Sequence, residues 1–210
     1  MKDYIEKIDR NIFGTLKNLK EPNILELEVQ NGISTKKFID LCNTTNGHLY
    51  SVDIDDCSSA STSDRWTFIK SRDDNFEFIK DNIPKELDVI YIDTLHEAKH
   101  VEKILYGYYD LLKVDGYIFV DDISHLPYIK NSPRNNFYCE INNQETFNKI
   151  LEIYNENQKN IDLNFSFFSS GTAIIKKNTS NNLLKNKSLA LRQFSIKNII
   201  RLLWKSLKRD

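Results

Sequence analysis

The chain has 210 residues, of which 40% are hydrophobic and 28% charged, and its formal net charge is −1. This size and composition suit one globular domain with an appendage, and they exclude a disordered or low-complexity chain. Cys42, Cys57 and Cys139 form no CxxC pair, and the start of the chain lacks the apolar core of a secretory signal, so we expect a cytoplasmic protein with reduced thiols.

The first half of the chain alternates predicted helices and strands. Apolar residues at intervals of three and four predict helices, and alternating or continuous apolar runs predict strands. The predicted elements are, in order, a helix over residues 4–19, a strand over 23–29, a helix over 34–42 capped by Ser34, a strand over 48–55, a short strand over 66–70 and a helix over 74–83.

The second half continues the alternation and ends in a hairpin. The predicted elements are a strand over residues 87–93, a helix over 97–112, a strand over 117–122, an irregular stretch over 123–140, a helix over 143–158 and hairpin strands over 163–169 and 172–177. The apolar runs 87–93 and 117–122 are typical of strands covered on both faces. We therefore predict one doubly wound, mostly parallel α/β domain over residues 1–177, with residues 1–20 as its N-terminal helix.

Aspartates end four of these strands, at the sheet edge where α/β proteins bind ligands. Gly32 follows the first strand and lets backbone amides approach a ligand. Asp53 follows 21 residues later, which is the spacing of an acid that binds a ribose. NAD and S-adenosylmethionine (SAM) both carry a ribose, so this pair does not choose between them, and a solvated aspartate is the alternative.

The other three strand-end aspartates, Asp93, Asp121 and Asp122, belong to neighbouring predicted strands. Three clustered carboxylates repel one another strongly unless a cation lies between them. Oxygen ligands favour Mg²⁺, Ca²⁺ or Mn²⁺ over zinc. The sequence therefore predicts a divalent metal site; in the alternative, Asp121 caps the next segment and Asp122 faces water.

Five segments in order resemble successive motifs of class I SAM-dependent methyltransferases, and in particular the small metal-dependent O-methyltransferases of the catechol and macrocin types. They are ILELEVQNGIST (24–35), LYSVDIDD (49–56), WTFIKSRDD (66–74), DVIYIDTLHEAKHV (88–101) and LKVDGYIFVDDIS (112–124). The resemblance covers about residues 20–177. It implies a Rossmann-like sheet of seven strands in which the last hairpin strand is antiparallel.

The resemblance also implies roles for individual residues. It places Glu26, Glu28, Gly32 and Ser34 at the amino-acid end of SAM, Asp53 on the ribose, Ser71, Arg72 and Asp73 near the adenine, and Mg²⁺ or another divalent cation on Asp93, Asp121 and Asp122. His96 lies near the position where catechol-type enzymes have a catalytic lysine, and beside Asp93 it is the candidate to take the acceptor's proton. An ordinary polar residue at a helix start is the alternative for His96.

The first loop departs from the family pattern. It reads Glu26, Glu28, Gln30, Gly32 where the family usually has ExGxGxG. The leading hypothesis is a SAM-dependent, metal-assisted O-methyltransferase acting on a hydroxylated small molecule such as a sugar or glycan precursor. Glu28, which stands at the first glycine position, supports the alternative of a catalytically silent binding protein with the methyltransferase fold.

The C-terminal segment is basic. Residues 185–210 contain eight Lys or Arg and one Asp, a charge of +7, which leaves −8 for residues 1–184 and argues against nucleic-acid binding by the body. After a polar link over 178–186, apolar residues at helical spacing alternate with basic ones up to residue 207. Residues 178–210 therefore predict a linker and a basic amphipathic helix. This helix can bind the inner membrane surface, pack on the body or mediate self-association, for example as a homodimer.

Overall fold

Seven strands and seven α-helices account for most of the chain in the computed structural model, which describes residues 2–125, 137–185 and 195–207, without the side chains of 137–139. The strands are β1 (Asn23–Leu27), β2 (His48–Asp53), β3 (Trp66–Lys70), β4 (Leu87–Ile92), β5 (Leu112–Asp121), β6 (Ile161–Ser166) and β7 (Thr172–Lys177). The helices are α1 (Lys2–Ile8), α2 (Gly14–Leu16), α3 (Ile33–Thr45), α4 (Phe76–Asp81), α5 (Ala98–Tyr108), α6 (Phe137–Asn157) and α7 (Ile196–Leu207). A π-helical turn, Asp9–Phe13, joins α1 to α2.

The strands form one sheet in the order β3-β2-β1-β4-β5-β7-β6. The pairs among β1 to β5 are parallel, and β7 is antiparallel to both β5 and β6. The predicted doubly wound sheet of seven strands with an antiparallel hairpin strand is confirmed. In such a sheet the ends of β1, β2, β4 and β5 lie along one edge, where a ligand can contact several of them.

Each face of the sheet has its own hydrophobic core. Ile24, Tyr91 and Phe119 lie on the face covered by α1, α2 and α3. Leu25 and Ile90 lie on the opposite face with residues of α4, α5 and α6. Because neighbouring residues of one strand serve opposite cores, the sheet is covered on both sides, as the apolar runs predicted.

Two predicted details were wrong. Ser34 does not cap α3; Gly32 is the N-cap, in a left-handed conformation with φ 66°, and Ser34 is buried in the first turn. Strand β5 begins at Leu112 rather than residue 117, because the chain bulges through Asp115, whose φ is 67°, and the pairing register with β4 shifts there. The predicted irregular stretch 123–140 ends in α6, and residues 126–136 lie outside the described residues.

The described part of the predicted linker is fastened to the body. Asn178 N donates to Asn160 O over 2.8 Å, and Tyr106 Oη donates to Leu184 O over 2.7 Å. Beyond residues 186–194, which lie outside the description, α7 has no buried residue. None of the described helices is long and apolar enough to cross a membrane.

Candidate active site

The loop between β1 and α3 has a glycine-like backbone even where glycine is absent. The φ angles are 82° at Glu28, 45° at Gln30 and 66° at Gly32, all in the left-handed region. A side chain raises the energy of this conformation by roughly 1–2 kcal/mol per residue. The three positions that the resemblance equates with glycines therefore all have a left-handed backbone. At two of them, Glu28 and Gln30, a side chain is present as well.

Asp53 at the end of β2 holds this loop in place. Its Oδ2 accepts hydrogen bonds from Val29 N at 2.8 Å and Gln30 N at 3.0 Å, and its Oδ1 accepts one from Asp55 N at 2.9 Å. Burial acts to raise the pKa of Asp53, but these amides outweigh it and the pKa lies below its usual value. Asp53 is thus an ionised carboxylate that both tethers the loop and faces the neighbouring cleft.

Glu26 lies under the loop rather than in the cleft. It is fully buried, and its Oε2 accepts hydrogen bonds from Thr35 Oγ1 at 2.8 Å and Ser51 Oγ at 2.6 Å. Burial raises its pKa to about 7, although the neighbouring hydroxyls act in the opposite direction. Glu26 therefore supports the loop from beneath.

A cleft of about 690 Å³ opens beside Asp53, between the ends of β1, β2, β3 and β4. Its lining includes Ser71, Arg72, Asp73, Thr94, Leu95 and His100. The three residues predicted near adenine lie in this cleft together, and Asp73 contacts His100 Nε2 at 2.6 Å. Thr94 Oγ1 is buried without a hydrogen-bond partner among the described residues, and Leu95 is 56% exposed, so the cleft offers both polar and apolar contacts to a ligand.

A second cavity of about 390 Å³ adjoins the cleft. Tyr4, Ser34, Asp93, Asp121 and Asp122 line it. Glu28, Gln30, Asn31 and His96 line both spaces. The site therefore has two compartments, each of a size that holds a small molecule, and they meet at Glu28 and His96.

His96 stands on the loop after β4, where the two compartments meet. Its Nε2 lies 3.3 Å from Asp122 Oδ2 and 3.8 Å from Asp93 Oδ1. Its side chain is 33% exposed, so a ligand can reach the ring. The neighbouring carboxyl groups orient the imidazole, and an imidazole held in this way can accept a proton during a reaction.

A lysine from α1 reaches the predicted metal site. Lys7 Nζ donates to both carboxylate oxygens of Asp121 and to Ser170 Oγ, the last over 2.7 Å. Tyr91 Oη donates to Asp121 Oδ2 at 2.9 Å, and Tyr4 Oη donates to Asp93 Oδ2 at 2.8 Å. The strand-end carboxylates are thus bonded to side chains of α1 and β4.

This arrangement does not fit the predicted metal site. Burial raises the pKa of Asp93, with Asp121 adding to the effect, and burial also raises the pKa of Asp121, which Lys7 opposes. Within the described residues, no group of three or more His, Cys, Asp or Glu side chains is arranged to hold a metal ion. Both oxygens of Asp121 already accept hydrogen bonds from an ammonium group, which a divalent ion would have to displace.

Sequence reasoning missed Tyr4, Lys7, Tyr91 and Thr94. Lys7 carried no local signal, because helical spacing places it on the side of the predicted first helix opposite Ile5 and Ile12. The sequence predicted a cation among the three aspartates, and Lys7, from a distant part of the chain, supplies a positive charge there. His48, Trp66 and His125 lie outside both compartments: His48 bonds Thr67 Oγ1, Trp66 bonds Ser51 Oγ, and the ring of His125 packs on that of Phe147.

Residues 25–123 match a family described as a methyltransferase domain. The chain is thus similar to methyltransferase domains over a little under half of its length. The matched region runs from within β1 to just past β5 and includes the loops that carry Glu28, Asp53 and His96. Among curated proteins, none matches the sequence.

Several solved structures share the fold of this chain at low sequence identity. MycE methyltransferase from the mycinamycin biosynthetic pathway, in complex with Mg and SAH, has a TM-score of 0.66 at 16% identity, over 86% of this chain and 53% of that chain. A caffeoyl-CoA O-methyltransferase-like protein from Staphylococcus aureus has 0.60 at 20% identity, over 83% of each chain. SAH-bound PaMTH1 from Podospora anserina has 0.58 at 19% identity, over 75% and 72%. The present chain spans about half the length of MycE.

Proposed function

We propose that this protein transfers the methyl group of SAM to a hydroxyl group of a small molecule, with a sugar or a glycan precursor as the preferred class. The observation that carries the proposal is the pair of adjoining compartments that meet at His96. Methyl transfer needs a donor and an acceptor in separate spaces, in line, with a base beside the acceptor oxygen.

The larger cleft suits the donor. Asp53, Ser71, Arg72 and Asp73 lie in it, as the family resemblance implies for a nucleoside. SAH is present in the similar MycE and PaMTH1 structures. Asp53 would accept hydrogen bonds from the ribose hydroxyls, while Leu95 would offer an apolar contact to the base.

The smaller cavity suits a polyhydroxylated acceptor, because hydroxyl, amide, imidazole and carboxylate groups line it. Bound SAM supplies a methyl group on a positively charged sulfur. His96 Nε2 would take the proton from the acceptor hydroxyl as the oxygen bonds to the methyl carbon and the carbon–sulfur bond breaks to release SAH, with Asp122 and Asp93 beside the imidazole to orient it. Metal assistance is left out of this proposal because Lys7 occupies Asp121.

Binding and turnover test the proposal separately. Calorimetry should show one SAM or SAH site, and tritium from labelled SAM should appear in one member of a panel of sugars and catechols. His96→Gln should retain SAH affinity and lose about 100-fold or more in turnover. His48→Gln, at the opposite end of β2, is the matched control and should retain activity. No SAM or SAH binding would rule out the enzyme and leave the silent binding protein.

We also propose that residues 185–210 attach the protein to an anionic membrane surface. Apolar residues of α7 between Ile196 and Leu207 are 49–79% exposed, and the body does not bury them. Lys197, Arg201 and Lys205 follow one another at intervals of four, on one side of the helix beside that apolar face. Basic and apolar faces side by side are what an interfacial helix needs.

Liposome flotation of the full chain tests the attachment. Vesicles containing phosphatidylglycerol should carry the protein, and phosphatidylcholine vesicles should carry much less of it. The double variant Lys197→Glu/Arg201→Glu should weaken binding by at least about fivefold per removed charge. Lys85→Glu, an exposed lysine before β4, is the control. The proposal would be contradicted if the double variant floated with the vesicles as well as the Lys85→Glu control does. It would also be contradicted if the protein formed a dimer without vesicles and this dimer required α7.

A further inference from the structure

The strongest unexplained feature of the site is a lysine at the place where the family resemblance implies a divalent metal. Lys7 is 1% exposed and Asp121 is 2% exposed, so the pair is closed off from solvent. The lysine comes from α1, and its partners come from the end of β5 and from the turn before β7. Three separate parts of the chain therefore meet at this ammonium group.

The ammonium group has no remaining hydrogen to offer a ligand. Its three N–H donors match the three acceptors around it, the two oxygens of Asp121 and Ser170 Oγ. The Tyr4 ring also lies under it, with the nitrogen 4.6 Å from the ring centroid. A buried cation needs this full set of partners, and a buried carboxylate beside Asp93 and Asp122 needs a cation.

We propose that the Lys7 ammonium is a built-in counter-cation that takes the place of the divalent metal, so that the site forms and binds its acceptor without a metal ion. Lys7 acts through Asp121, which lines the acceptor cavity, and is therefore a positioning residue rather than a catalytic one. The statement about the acceptor rests on the function proposed above, whereas the statement about the cation does not.

The same geometry explains how the carboxylates remain together. Lys7 and Tyr91 donate to Asp121, Tyr4 donates to Asp93, and His96 lies next to Asp122. Each aspartate thus has its own positive or hydrogen-bonding partner from the protein. A metal entering this group would have to displace the Lys7 ammonium from both oxygens of Asp121.

Manganese titration of the full chain, followed by the electron paramagnetic resonance signal of free Mn²⁺, tests the proposal without SAM or acceptor. The wild-type protein should leave the signal of the free ion unchanged, and its melting temperature should be the same in EDTA and in Mg²⁺. Lys7→Met removes the ammonium and should create one Mn²⁺ site. The double variant Lys7→Met/Asp121→Asn should lose that site again.

Other results would overturn the proposal. Stoichiometric Mn²⁺ binding by the wild type that Asp121→Asn abolishes would show that Lys7 yields to a metal. A folded Lys7→Met variant without Mn²⁺ affinity would show that the ammonium replaces nothing. If Lys7→Met does not fold alone, millimolar Mn²⁺ should restore its circular dichroism spectrum, and failure to do so also counts against the proposal. If the wild-type protein does not bind SAM, the proposed methyltransferase function is wrong, but the Mn²⁺ measurements still test the role of Lys7.

Discussion

Glu28, Gln30 and Gly32 share a left-handed backbone but differ in side chain, and this loop illustrates how single residues shape the site. Asp53 bonds the amides between them, so the loop keeps its form without three glycines. The positions that the resemblance equates with glycines thus share a left-handed conformation although only one of them is glycine. The consequence is that two extra side chains project where a ligand approaches most closely.

Glu28 should weaken SAM binding, because its side chain lines both compartments and takes up space beside the loop where a ligand would lie. Glu28→Gly removes the side chain and the backbone strain, so SAH affinity measured by calorimetry should rise by about tenfold, or about 1.4 kcal/mol. Glu28→Gln keeps the size and removes the charge, which separates repulsion from crowding. Unchanged affinity in both variants would mean that Glu28 does not face the bound cofactor.

Glu26 should make stability depend on pH near neutrality. Its pKa in the folded state, about 7, lies above the unfolded value, so its contribution to stability is full at acidic pH and is lost as the pH rises through 7. The loss amounts to about 3 kcal/mol. Urea unfolding at several pH values should show this slope in the wild type and a flatter curve in Glu26→Gln. The exposed Glu86→Gln is the control, and a wild-type slope in Glu26→Gln would refute the assignment.

At the scale of elements, the strands and most helices could be predicted because their patterns are local. The runs 66–70 and 172–177 match β3 and β7 residue for residue. The bulge at Asp115 could not be predicted, because it depends on pairing with β4. Likewise, the strand-end positions of the aspartates follow from the sheet topology, whereas the Lys7–Asp121 contact joins residues 114 positions apart and has no local signal.

The hairpin turn before β7 accepts hydrogen bonds from the backbone of residues 122–124, the segment after β5 that is here named the acid loop, and Gly171 makes this contact possible. Its φ is 83°, and a Cβ there would lie 2.7 Å from Ser124 N. Gly171→Ala should lower the free energy of unfolding by about 2 kcal/mol or more, since strain and a clash with backbone add together. Chemical denaturation measures this loss.

Gly14→Ala is the matched control for this substitution. Gly14 is helical, and a Cβ there would meet only Asp9 O at 4.0 Å. This variant should be as stable as the wild type or more stable by up to about 1 kcal/mol. Equal effects of the two substitutions would mean that the turn does not hold the acid loop as closely as its hydrogen bonds indicate.

Across the whole molecule, the site is assembled from both ends of the domain. Residues 25–123 are the part that matches the methyltransferase domain family, while α1 supplies Tyr4 and Lys7, and the turn before β7 supplies Ser170. The smaller cavity therefore depends on segments outside the matched region.

Cofactor binding should consequently stabilise the whole domain. SAH at about 100 times its dissociation constant should add about 2.7 kcal/mol to the free energy of unfolding and raise the melting temperature by roughly 5–10 °C. Asp53→Asn should abolish most of this shift, because it weakens both the loop tether and the predicted ribose contact. Asp81→Asn, at the exposed end of α4, should keep the shift. Differential scanning fluorimetry over a series of SAH concentrations gives the comparison, and an equal shift in Asp53→Asn would place the cofactor elsewhere.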